Sequence, residues 1–247
     1  MAKKISLLAL LISSWIGVLS AQDFFPKKDL MSVGVYYYPE QWSEDQWERD
    51  IENIAGHGFE FIHMSEFAWA QMEPSEGKYD FTWLDKVIEL ADKNKLKVIL
   101  GTPTPCPPVW LGIKYPEIYI QDGNYQSKEH GTRANMSLSN PIVLEYTQKI
   151  VDEMAKHYAH NKAVMGWQID NEPEAKEDYS PSAQLAFREW LQNKYADITE
   201  LNKAWGTAFW SQLYSAFDEV RIHNAQNVGW WGANTIALLD FKRFTAD

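Results

Sequence analysis

Four apolar runs of strand length, each followed by a segment that opens like a helix, limit what this chain can fold into more than any other feature. Val33 to Tyr38 is ended by Pro39. Ser43, with Gln46 at capping-box spacing, predicts a helix whose apolar stripe is Trp47, Ile51 and Ile54, before Gly56. Phe59 to Met64 runs into Ser65-Glu66, and its helix opens at Thr82 with Leu84, Val87, Ile88 and Ala91 on one face. Lys97 to Gly101 is stopped by the proline-rich Thr102 to Pro108, and Asn140-Pro141 starts the next helix, proline suiting the first helical position. Val164 to Ile169 is the fourth run, followed by a helix from Ser180-Pro181.

Near-continuous apolar strands alternating with helices predict a parallel sheet covered by helices. Glu40, Glu66, the loop after Gly101 and Asn171-Glu172 all fall just after a strand, the end at which a parallel barrel carries its active site. The predicted fold is therefore α/β, of the (β/α)8 TIM-barrel type. A doubly wound sheet competes, but no strand leads into a glycine-rich phosphate loop. Beyond Glu172, Asp197 to Trp205 and Asn234 to Phe244 read as helical, and no fifth strand of similar quality follows. Only about the first four units of an eight-unit barrel are expected.

Residues 1–21 stand apart. A basic start at Lys3 and Lys4, an apolar run from Ile5 to Leu19 and the small pair Ser20-Ala21 predict a secretory signal peptide. The run is short for a membrane anchor. An exported protein, periplasmic or extracellular, is expected, with residues 22–247 as the catalytic-type domain. The net charge of −11 argues against nucleic acid or anionic lipid as partners. Cys106 is the single cysteine, so an internal disulfide and a multi-thiolate zinc site are both ruled out. The six histidines show no metal spacing; His157 and His160 fall at a helix end, where solvation or capping accounts for them. Twelve tryptophans are an unusual load, most of them expected in the core and no more than three or four at a site that packs sugar rings.

Asp170-Asn171-Glu172-Pro173 ends the fourth strand run and delivers a carboxylate with an amide beside it. By strand alternation Gln168, Asp170 and Glu172 share the face toward the barrel interior, with Trp167 and Ile169 facing the helices. Asn171 joins the same pocket only if the alternation breaks there. Glycoside cleavage needs a protonated acid, and a second carboxylate about 5–5.5 Å away for retention or about 6.5–9.5 Å for inversion. Asn-Glu-Pro alone is a weak signal, and by itself it fits a salt-bridged loop acid better.

Six motifs occur in order: Val33 to Trp42, Ser65 to Trp69, Glu73 to Phe81, Gly101 to Thr104, Gly166 to Glu172, and Ala204 to Trp210. Together they resemble the catalytic domain of the family 42 glycoside hydrolases, retaining β-galactosidases, over Ser32 to Phe244. The resemblance implies that Glu172 is the general acid/base, that Asn171 binds the sugar 2-hydroxyl and that Arg133 is the substrate-binding arginine. Glu66 is expected either to hold Arg133 or a hydroxyl, or to form a structural ion pair. No cofactor is implied. Many family members bind zinc through a cysteine cluster; the matching stretches here, Asn135 to Asn140 and Pro173 to Ala183, contain no cysteine, so no zinc is expected. The family's nucleophilic glutamate lies on the seventh strand, which places it beyond Asp247.

The leading expectation is a fragment of an exported β-galactosidase whose full-length relatives form trimers, inactive and poorly stable by itself. A non-catalytic glycan-binding protein is the rival from another class. A relative acting on an α-L-arabinopyranoside or another β-glycoside is a third reading.

Overall fold

The computed structural model describes residues 31–223 and 234–247. The signal segment expected over residues 1–21 lies outside them. From Gly34 to Asp247 the chain forms a single compact unit. Its centre is a four-stranded sheet in sequence order, β1 (Gly34–Tyr36), β2 (Phe61–Met64), β3 (Lys97–Gly101) and β4 (Val164–Gln168), with every pairing parallel. Parallel neighbours need long crossovers, and each crossover here carries a helix. The arrangement is four consecutive β/α units of the barrel type.

The helices are α1 (Glu44–Gly56), α2 (Trp69–Met72), α3 (Thr82–Lys93), α4 (Val109–Lys114), α5 (Pro141–Tyr158), α6 (Pro181–Tyr195), α7 (Ile198–Trp205) and α8 (Asn234–Phe244). The starts follow local chemistry. Asn140 accepts from the Ile142 N–H, Ser180 from Ala183 and Asp197 from Glu200, each filling one of the free N–H groups of the first turn. Ser43 stands at the N-cap of α1 as expected, but its hydroxyl makes no capping bond, so the capping box is not formed. Gly206 ends α7 in the left-handed conformation that favours glycine.

Two apolar clusters result. One packs the sheet, through Ile62, Met64, Val98 and Leu100, against Trp47 and Ile51 of α1, Leu84 and Ile88 of α3, and Ile150 and Met154 of α5. The other joins Phe187 and Leu191 of α6, Leu201 and Trp205 of α7 and Phe241 of α8. Asp240 is wholly buried beside the second cluster and is satisfied there by Lys194, by the Tyr195 hydroxyl at 2.5 Å and by the Trp205 indole N–H at 3.0 Å.

The edge strands differ from expectation. Trp167 on β4 and Ile169 just past its end, expected to face the helices, are 39% and 83% exposed. Tyr36 on β1 is likewise exposed. Strand alternation says which residues share a face, not whether an edge strand has a neighbour on that side.

Candidate active site

At the carboxyl end of β2, Ser65 adopts a φ of 82° and donates its hydroxyl to the Gly101 carbonyl at 2.8 Å. That reversal buries Glu66 completely. Its carboxylate accepts from the Tyr38 hydroxyl at 2.9 Å and lies 2.6 Å from His63 Nδ1, a close charge contact off the direction of a hydrogen bond. Gly101 makes room for it, since a Cβ there would come within 2.5 Å of Glu66 Cβ. Burial, reinforced by Glu66, holds the Tyr38 hydroxyl well above its ordinary range. Neighbouring Glu40 has both carboxyl oxygens buried without a hydrogen-bond partner. Burial first, and the charge of Glu66 next, push its pKa up to about 7.

At the end of β4 the alternation breaks, as Asn171 requires, but not in the way the shared face of Gln168, Asp170 and Glu172 predicts. Asp170 and Glu172 both take left-handed backbone, with φ of 61° and 49°. Asp170 turns sideways to the loop after β3, where it accepts from Thr104 Oγ1 at 3.1 Å. The Asn171 carbonyl oxygen accepts from Gln168 Nε2 at 3.4 Å, and its amide nitrogen is buried without a partner. Glu172 projects outward, its side chain 71% exposed, and its carboxylate takes the Arg133 guanidinium.

Arg133 thus comes from a distant loop to Glu172, the residue beside Asn171. Its guanidinium also lies over the Phe67 ring, 5.8 Å from the centroid, and Phe67 stacks on Tyr38 at 5.8 Å with an interplanar angle of 18°. Glu66 does not hold Arg133; of its alternatives, the internal polar contact is the one formed. Tyr38 and Phe67 carry contact between the two strand ends, and neither stood out as a site residue. Their signal in the sequence is membership of the motifs Val33 to Trp42 and Ser65 to Trp69 at the ends of the first two strand runs. A cavity of about 390 Å³ opens beside Glu172, lined by Thr104, Asp170, Asn171, Lys176 and Phe244 among others.

The stretches that match the zinc-binding part of the family are tied together differently. Ser180 Oγ donates to Asp178 at 3.0 Å and lies 3.3 Å from Ser137 Oγ, while the Gln121 N–H donates to Asp178 at 3.1 Å. Two buried hydroxyls and one carboxylate already engaged by N–H and O–H donors do not fit a zinc ion, which takes thiolate, imidazole or free carboxylate. Among the described residues no group of three or more metal-ligating side chains occurs, and no helix is long and apolar enough to cross a membrane.

Comparison with known proteins agrees with this architecture. The β-galactosidase model of glycoside hydrolase family 42 matches residues 36–247. The β-galactosidase BgaA of Clostridium cellulovorans is 40% identical over 217 residues, 88% of this chain and 32% of that protein. Among solved structures, the β-galactosidase of the psychrophilic Marinomonas ef1 superposes with a TM-score of 0.82 at 36% identity, covering 88% of this chain and 33% of that one. The enzyme of the haloarchaeon Halorubrum lacusprofundi gives 0.80 at 38% identity, covering 88% and 32%. The chain spans about a third of the length of the curated relatives it matches. Because the match runs from within β1 through α8, the chain belongs to glycoside hydrolase family 42, the β-galactosidases.

Proposed function

We propose that this chain supplies the acid/base half of a retaining β-galactosidase that removes terminal β-D-galactosyl residues. The observation that carries the reading is the meeting of Arg133, Asn171 and Glu172 at the carboxyl end of β4. A galactoside entering there would exchange the Arg133–Glu172 contact for its own. The guanidinium then offers fixed donors to sugar hydroxyls, the Asn171 amide, buried without a partner, takes the 2-hydroxyl, and the Glu172 carboxyl faces the glycosidic oxygen.

In the first step Glu172 gives its proton to the leaving oxygen as a nucleophilic carboxylate bonds to the anomeric carbon and the glycosidic bond breaks. In the second, Glu172 takes a proton from water, whose oxygen displaces that carboxylate and frees the sugar. The nucleophile in this reading comes from another strand of the barrel. Glu66 is buried and engaged by Tyr38 and His63, and Glu40 is buried and readily protonated, so both are poor nucleophiles. The basic, apolar and small-residue succession over Met1 to Ala21 supports export, and trimer assembly belongs to the same proposal.

Calorimetric titration with galactose tests the binding half. Binding is expected, and Asn171→Ala or Arg133→Ala is expected to weaken it about tenfold, the effect of one lost hydrogen-bonding contact. A chromogenic β-galactoside tests the other half: substantial turnover by this chain, abolished by Glu172→Gln, would contradict a nucleophile supplied from elsewhere.

A further inference from the structure

Gly101-Thr102-Pro103-Thr104 is a motif to which the acid/base reading gives no part, and it lies directly against the strand end that bears Glu172. Asp170 and Glu172 both occupy left-handed backbone, where a residue with a Cβ persists only if its surroundings hold it. At Asp170 the holding groups are two threonines. The Asp170 N–H donates to Thr102 Oγ1 at 2.8 Å, Thr102 Oγ1 lies 3.2 Å from Thr104 Oγ1, and Thr104 Oγ1 donates to Asp170 Oδ1 at 3.1 Å. The same Oδ1 accepts the Asn171 N–H at 2.8 Å. One arrangement uses each proton once: Thr102 donates to Thr104, which donates to Asp170. The circuit starts and ends on Asp170, and Thr102 is buried within it. The Thr102 N–H to Gln168 carbonyl bond, at 3.0 Å, ties its base to β4.

We propose that Thr102, Thr104 and Asp170 form a clamp that fixes the backbone leading into Asn171, making them positioning residues for the Asn171 amide and, through it, for the Glu172 carboxyl that follows. A left-handed Asp170 points the Asn171 side chain back toward Gln168 while Glu172 stays at the mouth; relaxed to extended backbone, the strand would swing both side chains away. Proline between the threonines restricts the backbone that spaces the two hydroxyls. The inference rests on the reading of Asn171 and Glu172 as sugar-contacting groups.

The test compares Thr102→Val, which keeps the shape and loses the hydroxyl, with Thr102→Ser, which keeps the hydroxyl. Two quantities are read on the full chain: amide hydrogen exchange at Asp170 and Asn171, and galactose affinity. The clamp predicts that Thr102→Val speeds exchange at both amides about tenfold and weakens galactose about tenfold, and that Thr102→Ser restores both. A general packing defect would not be rescued by the hydroxyl. Unchanged exchange in Thr102→Val, or an affinity loss equal in the two variants, overturns the proposal. If Thr102→Val fails to fold, Thr104→Val at the half-buried end of the circuit carries the same test at Asn171. Failure of the unaltered chain to bind galactose contradicts the sugar-site reading instead, and the exchange rates then decide the clamp alone.

Discussion

Glu66 and Glu172 both follow a sheet strand closely, yet the fold treats them in opposite ways. Glu66 is 1% exposed and is surrounded by Tyr38, His63 and the bare Cα of Gly101. The Glu172 side chain is 71% exposed and its partner is one half-exposed side chain, Arg133. The difference begins in the backbone. A single reversal at Ser65 folds Glu66 inward over β3, whereas reversals on both sides of Asn171 leave Glu172 at the mouth. A buried carboxylate fixed by the Tyr38 hydroxyl and enclosed by His63 and Gly101 organises the scaffold. An exposed one beside a displaceable cation is open to a substrate.

The sharpest way to break this contrast is to remove each carboxylate in turn and follow urea denaturation. Glu66→Ala leaves the Tyr38 hydroxyl without its acceptor and empties a fully buried site beside His63, and is expected to destabilise the chain by about 3 kcal/mol. Glu172→Gln is expected to change stability by less than about 0.5 kcal/mol. Equal effects would erase the distinction between scaffold and chemistry. Gly101→Ala attacks the same buried end from the neighbouring strand. Its Cβ would meet Glu66 Cβ at 2.5 Å and the Glu66 Cα at 3.0 Å, and a loss of about 1–3 kcal/mol follows from overpacking against backbone.

Glu40 sharpens the comparison through pH. Its carboxyl is raised from 4.5 to about 7 in the folded chain, chiefly by burial. Between those values the native state keeps a proton that the unfolded chain has released. The stability this gives is full below about pH 4.5 and is lost as the pH rises to about 7. Thermal midpoints should therefore fall across that window. Glu40→Gln should flatten the slope and gain about 1–2 kcal/mol at pH 8, the partial exposure of the residue reducing the full effect. A slope unchanged by Glu40→Gln would remove Glu40 as its source. The smallest effect on stability is expected at Arg133→Ala, under about 0.5 kcal/mol for an exposed ion pair, in contrast to its loss of sugar affinity.

The fold was legible where it is local. Asn140-Pro141, Ser180-Pro181 and Asp197 announce helix starts because the capping side chain and the N–H it satisfies lie within three residues of each other. β3, and the start and apolar face of α3, were readable because their apolar residues face one packed core. The site was legible in residue types and less so in geometry. Strand alternation put Asp170 on one face with Glu172, but left-handed backbone at both, on either side of Asn171, turns Asp170 to the threonines of the preceding loop. Arg133 meets Glu172 through tertiary folding, which no periodicity encodes, and the Glu66 pocket depends on a glycine one strand away. The exposure of Trp167 and Ile169 reflects their place on an edge strand, a property of sheet order rather than of the residues.

The central claim, that sugar is met at the Arg133–Asn171–Glu172 end and not at the Glu66 end, is tested most directly by a nitrogen-15 NMR titration of the chain with galactose. The account predicts saturable shifts at the Asn171 side-chain amide and the Arg133 guanidinium, with His63 beside Glu66 unmoved. Shifts centred on His63, or no saturable shift at Asn171 and Arg133, would contradict it.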